Sequence, residues 1–180
     1  MAGAIEELGD TLAATRKRLL AAIEGVTEEQ FHRRPEESGA AEAWSISEVL
    51  AHLLAHEQME AERIALALAQ NGAPITPSPP EAHEAKARAG RRVPVPQIIH
   101  GLLAVRRELE RILSGAADLE ASLGRAVIHP QRGRDTVRWM LNAKVIGHEA
   151  EHAAQIEALR PAVGAPALSA GAASEAREQR

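Results

Sequence analysis

Apolar residues recur along this chain at steps of three and four over four long stretches, the spacing that gathers them on one face of an α-helix. The first stretch runs from about Ile5 to Ile23, with Leu8, Leu12, Leu19, Leu20 and Ile23 on one side, and Gly25 is placed to end it. Thr27-Glu28-Glu29-Gln30 has the spacing of a capping box and predicts a short helical turn ending near Pro35, followed by a loop of small and acidic residues. At Trp44-Ser45-Ile46-Ser47-Glu48-Val49 several helix-start signals coincide: Ser45 can cap, Glu48 can return the bond, and Trp44 can staple onto Val49. That second helix is predicted to continue through Leu53, Ile64 and Leu68 to a stop at Asn71-Gly72. A third opens at Pro96 and carries Ile98, Ile99, Leu102, Leu109, Ile112 and Leu113 up to Gly115. An irregular stretch through Ile128-His129-Pro130 and Gly133 leads to Asp135, the predicted cap of a fourth helix. This helix bears Val137, Leu141, Val145, His148, His152, Ile156 and Leu159 and is ended by Pro161.

Between helices two and three, residues 73–93 hold Pro74, Pro77, Pro79 and Pro80 and then a basic run with Lys86, Arg88, Arg91 and Arg92. A connection of this length is either a solvated crossover or a functional lid, and the crossover is the plainer reading. No segment reads as a strand. The pattern therefore predicts an all-α fold, an antiparallel four-helix bundle over residues 1–160 with a long connection between helices two and three. Residues 161–180 are rich in Ala, Gly, Ser and charge without apolar period, and are expected to form a flexible tail.

Composition narrows the chemistry. A chain of 180 residues suits a single domain. With only Phe31, Trp44 and Trp139 as aromatics, its core must be filled by Leu, Ile, Val and Ala, helices approaching closely at alanines. There is no cysteine, which excludes disulfides, thiolate metal sites and cysteine nucleophiles; any thiol chemistry must use a borrowed thiol. The first twenty residues carry acidic groups and an amphipathic pattern unlike a signal peptide, and no apolar run approaches the roughly 20 residues needed to span a bilayer, so a cytoplasmic protein is expected. A formal charge of −4 and the scarcity of aromatics argue against nucleic-acid partners, as the lack of a spanning apolar run does against a membrane.

The chemistry-bearing feature is a set of histidines. His148 and His152 lie four apart on the apolar stripe of the fourth helix, so both imidazoles can reach one divalent ion, and burying two unpaired imidazoles there would otherwise be costly. His52, in the second turn of helix two, shares a face with Val49 and His56; either histidine can supply a third ligand, the other standing behind it. The alternative is a set of partly exposed helix-face histidines. His148-Glu149-Ala150-Glu151-His152 also matches the HExxH pattern of zinc proteases, with Glu149 as general base, but no downstream third ligand is supplied and no strand is predicted to hold a peptide. His129, in the loop entering helix four, can approach the open face of such a site. His32, His83 and His100 have no evident partner.

Trp44-Ser45-Ile46-Ser47-Glu48-Val49-Leu50-Ala51-His52-Leu53, with histidine eight residues after tryptophan, and His148-Glu149-Ala150-Glu151-His152-Ala153-Ala154-Gln155-Ile156 together resemble the DinB-like superfamily of metal-binding four-helix bundles, as does the segment from Gly133 to Trp139. The resemblance implies that His52, His148 and His152 are the metal ligands with water completing the site, and that the chain pairs as a homodimer. It does not fix the reaction, since such proteins include transferases and isomerases that use a low-molecular-weight thiol. The stretch after His152 reads Ala-Ala-Gln where many members carry a glycine before the glutamine, and the connection before helix three is long, so substrate contacts are not transferable.

The expectation is thus a divalent-metal protein, with zinc or nickel ahead of iron, that activates a low-molecular-weight thiol or water against a small-molecule substrate, a thiol S-transferase being the leading form. His56, Glu149 and His129 are the candidates for proton transfer. A metal-dependent hydrolase is the nearest alternative, followed by a non-catalytic metal-binding or stress-related bundle and by a plain helical interaction module without metal.

Overall fold

The computed structural model describes residues 2–35, 44–77 and 79–168. The loop expected at 36–43 and most of the expected tail, residues 169–180, lie outside them. Eight α-helices are seen among the described residues: α1 (Ala2–Ala22), α2 (Glu28–His32), α3 (Ile46–Ala69), α4 (Pro80–Ala89), α5 (Val95–Ser114), α6 (Leu119–Leu123), α7 (Val137–Trp139) and α8 (His148–Leu159). A π-helical segment, Met140–Gly147, joins α7 to α8, so that α1, α3, α5 and the composite α7–α8 rod make the predicted four-helix core. Both predicted capping boxes are present. Thr27 accepts from the Gln30 amide and Ser45 from the Glu48 amide, and each N3 side chain returns a bond to the cap backbone.

Two corrections concern the connections, and the structure adds detail to a third. The strandless reading missed a small sheet, in which β1 (Ala73–Pro74) runs parallel to β2 (Ala126–His129) and β2 antiparallel to β3 (Gly133–Thr136). Two to four residues are too few to show an alternating pattern; the sheet exists because Val127 is buried in the core and because the Gly72 and Ile75 amides donate to Ala126 and Ile128 carbonyls at 2.8 Å. Asp135 is not the cap of the fourth helix. It pairs with Val127 in the sheet, and Thr136 caps instead, its hydroxyl accepting from the Trp139 amide at 3.2 Å. The connection 73–93, read as plain crossover or lid, contains α4 and a 3₁₀ turn at Gly90–Arg92 packed on α3. Gly90 sits against α3 so closely that a Cβ there would lie 2.4 Å from the Ala51 Cβ, and Arg91 Nε donates to the buried Glu48 carboxylate at 2.6 Å. Beyond the end of α8, Val163 is buried in the same apolar cluster as Leu19 and Ile156. No helix among the described residues is long and apolar enough to cross a membrane.

The core is divided. One apolar cluster gathers Leu8, Leu12, Ile64, Leu109, Met140, Leu141 and Val145; the other gathers Leu19, Leu50, Leu53, Ile98, Leu102, Ala153 and Ile156. On each helix of the bundle the break between clusters falls at polar residues: Thr15 and Arg16 on α1, His56, Glu57 and Glu60 on α3, Arg106 on α5, and His148 and Glu149 on α8. A polar layer therefore crosses the middle of the bundle, and the chemistry lies in it.

Candidate metal centre

The polar layer begins with helix geometry. His148 and His152, one turn apart on α8, face α3, where His52 lies just beyond the Leu50–Leu53 packing of the apolar cluster. His52 Nε2 is 3.3 Å from His148 Nε2, which is 3.1 Å from His152 Nε2, and one nitrogen from each of the three rings falls within 4.8 Å of the others. The Trp44 ring, 5.0 Å from that of His52 between centroids, covers the third imidazole and so gives the staple residue a second task. His52 is only 9% exposed, and His148 and His152 are half-buried.

The protonation states are set by the partners. His152 Nδ1 is 2.8 Å from the Gln155 side-chain oxygen, so the ring donates there and leaves Nε2 as a bare lone pair toward its neighbours. Burial first, and then the imidazoles of His56, His152 and His52 and the Lys144 ammonium, push the His148 imidazole down to about 2. Burial likewise lowers His152, opposed by its bond to Gln155 and by the Glu151 charge. His148 Nδ1 is buried without a hydrogen-bond partner. One proton on His148 Nε2 can serve only one of its two close neighbours well, whereas a cation between the rings would serve all three lone pairs. The donor set thus fits a divalent metal: neutral, desolvated imidazole nitrogens with one ring fixed in tautomer.

The neighbouring positions do something different. Glu149, fully buried, turns away from the triad: Arg106 Nη2 donates to Oε2 at 2.7 Å, Thr15 Oγ1 donates to the same atom at 2.7 Å, and Arg16 Nε lies 2.7 Å from Oε1. Arg16 Nη2 also donates to both oxygens of Glu57, at 2.6 and 2.7 Å, and Arg106 Nη2 reaches Glu57 at 3.3 Å. Burial raises the Glu57 carboxyl above the usual carboxylate range, an effect the Arg16 and Arg106 charges only partly offset. The protease pattern therefore fails in space, because its would-be general base is spent in a four-residue ion network. His56 does not join the triad nitrogens. Its ring stacks on His148 with centroids 3.8 Å apart, and its Nε2 is 3.7 Å from Glu60. His129 sits at the end of β2, where Nδ1 accepts from the Gln131 and Arg132 amides at 3.2 Å, and it lines a cavity of about 180 Å³ with His56, Glu60 and Lys144.

The family model of the DinB superfamily matches residues 11–156. The chain belongs to that superfamily. Among solved structures, YfiT from Bacillus subtilis, described as a probable metal-dependent hydrolase with an unusual four-helix bundle topology, is 19% identical and superposes with a TM-score of 0.72 over 89% of this DinB chain and 88% of YfiT. A mutant of the mycothiol-dependent maleylpyruvate isomerase is 14% identical, with a TM-score of 0.59 over 89% of this chain and 62% of that one. At these identities the likeness is one of fold. No curated protein matches the chain. The DinB match spans the three histidines, and the structure shows them clustered in a site capable of coordinating a divalent ion.

Two parts of the site escaped the sequence reading. Arg16, Glu57 and Arg106 form the ion network, and Lys144 supplies a cation beside the triad. The first three did leave a signal: each stands four residues after a core leucine, Leu12, Leu53 or Leu102, on the stripe that otherwise carries apolar residues.

Proposed function

We propose that this DinB protein is a metal-dependent enzyme in which His52, His148 and His152 hold one divalent ion, zinc or nickel before iron, and a thiol or water attacks a small-molecule substrate. The observation that carries the reading is the convergence of three desolvated imidazole nitrogens, the His148 Nε2 lying 3.3 Å from that of His52 and 3.1 Å from that of His152. When bound, the ion supplies Lewis acidity, which makes a thiol or water nucleophilic at neutral pH. The chain's own residues do the rest. Gln155 fixes the His152 tautomer, Trp44 and the stacked His56 exclude water from two sides, and the Glu149 network anchors α8. Of the three proton-transfer candidates, His56 is the one that touches both His148 and the cavity; Glu149 is fully engaged and His129 has Nδ1 committed to the backbone.

A borrowed low-molecular-weight thiol is favoured over water because the chain has no cysteine of its own and shares its fold with a mycothiol-dependent enzyme. YfiT's description supports the hydrolase alternative. Elemental analysis of untagged protein tests the shared part: about one equivalent of metal is expected in the wild type and none in the triple variant His52→Ala, His148→Ala, His152→Ala. Protein that neither contains nor takes up zinc or nickel would overturn the reading. Turnover of an electrophile panel that requires added thiol selects the transferase; turnover without thiol selects the hydrolase. Sizing by light scattering tests the homodimer that belongs to the same proposal.

A further inference from the structure

The lining of the cavity beside the triad combines apolar Met59, Ile75 and Pro77 with His129, Lys144 and the Glu60–Arg63 pair. It carries two cations against one carboxylate, and Arg63 Nη1 donates to that carboxylate at 2.6 Å, while Arg63 Nη2 donates to the Thr76 carbonyl. Lys144 makes no ion pair at salt-bridge distance among the described residues, and its charge acts on Glu60 only behind that of Arg63. Its ammonium lies 5.6 Å from the centre of the Trp139 ring, whose other close contacts are Arg132, 4.7 Å from the ring centre, and the edge-on His129. Because His129 Nδ1 accepts two backbone N–H groups, the neutral ring carries its proton on Nε2 and is a donor. The lining thus carries one positive charge more than its single carboxylate balances, with an imidazole donor and apolar side chains bordering the same small space.

We infer that this cavity binds a small carboxylate with a short apolar chain, with Lys144 as counter-ion and His129 Nε2–H as a second donor. At about 180 Å³ it is smaller than the roughly 300–1,000 Å³ of pockets for drug-sized ligands, which restricts the occupant to a few heavy atoms beyond the carboxylate. Its boundary with the triad is the His56 ring, stacked on His148, and Lys144 stands one turn before His148. That placement makes the carboxylate the anchoring group of the substrate. The substrate role rests on the metalloenzyme reading; anion binding itself does not.

The test uses full-length protein stripped with chelator, so that no ion competes for the anion. Propionate is titrated while the Trp139 indole resonance is followed, with propionamide as the neutral isostere and inorganic phosphate as the competing anion. Saturable binding of propionate is expected, with propionamide at least tenfold weaker, since a charge-assisted hydrogen bond contributes about 1.5–3 kcal/mol. Lys144→Met should weaken propionate by about tenfold or more, and Lys144→Arg, which keeps the charge and controls for folding, by no more than about threefold. Equal binding of propionamide, tighter binding of phosphate, or an unchanged affinity in a folded Lys144→Met protein would overturn the assignment. Zinc uptake measured on the same preparations separates the two readings. Propionate binding without zinc uptake sinks the metalloenzyme and leaves the anion site, and the reverse sinks the anion site alone.

Discussion

On one side of the polar layer two guanidinium groups and two carboxylates lie buried at salt-bridge distance from one another; one residue away along α8, three imidazoles are pressed together with nothing of opposite charge between them. Glu149 belongs to the first group and His148 to the second, so the same helix turn feeds both. Both halves have paid for desolvation, but only the ion network recovers it from within the chain, through bonds linking α1, α3, α5 and α8. The triad would recover more of it from a bound cation. A buried cluster in which charges of opposite sign are paired ties the helices together, and a cluster of imidazoles beside it is capable of holding a metal; the difference separates the scaffold of this protein from its candidate chemistry.

The largest expected effect breaks the network. Glu149→Gln keeps the shape but leaves Arg16 and Arg106 facing one carboxylate, and should cost about 3–5 kcal/mol in the metal-free protein, measured by urea unfolding. His152→Asn, on the same helix in the half-buried triad, should change metal-free stability by about 1 kcal/mol or less. Similar losses in both variants would erase the distinction between the two halves.

Acid should act through the triad next. The His148 and His152 imidazoles are held below 6.5 in the folded chain and are ordinary when it unfolds, so below pH 6.5 the unfolded state binds protons that the folded state refuses. Stability of the stripped protein is therefore full above that value. As pH falls it should decline by up to about 1.4 kcal/mol per pH unit for each such histidine, for His148 continuing toward its folded value of about 2. Unfolding curves between pH 7 and 4.5 check the slope. His148→Ala should flatten it, and an unchanged slope in that variant would place the acid sensitivity elsewhere.

The legibility of these features in the sequence follows the same division. The long helices, both capping boxes and the His148–His152 pair were readable because each announces itself through local spacing, whereas spacing left His52 and His56 open as the third member and only the family resemblance pointed to His52. The ion network depends on four residues distant in sequence; the place of Arg16, Glu57 and Arg106 on apolar stripes marks them as buried, but which charge pairs with which is fixed only when the helices are packed. The sheet was hidden by its brevity and by Pro74, which argues against a strand. The π-helical segment was hidden because a periodic pattern does not distinguish 3.6 residues per turn from a wider turn. Its trace is Gly147, where a Cβ would come within 3.1 Å of the Asn142 carbonyl five residues back.

The smallest expected effect sharpens the comparison at one atom. Gln155 is exposed and touches none of the network, and its side-chain oxygen accepts the proton on His152 Nδ1 at 2.8 Å. If the triad is a ligand set, removing that acceptor frees the His152 ring to rotate or to carry its proton on Nε2, where it would block a metal. Gln155→Ala should then weaken zinc binding by about 10- to 100-fold, the range typical of groups that orient a metal-bound histidine. An exposed side chain with no part in packing should leave metal-free stability within about 0.5 kcal/mol. Competition with a zinc indicator and urea unfolding of the stripped protein give the two numbers. A loss of affinity at constant stability assigns Gln155 to the metal centre; a loss of stability at constant affinity would return it, and with it the lower turn of α8, to the scaffold.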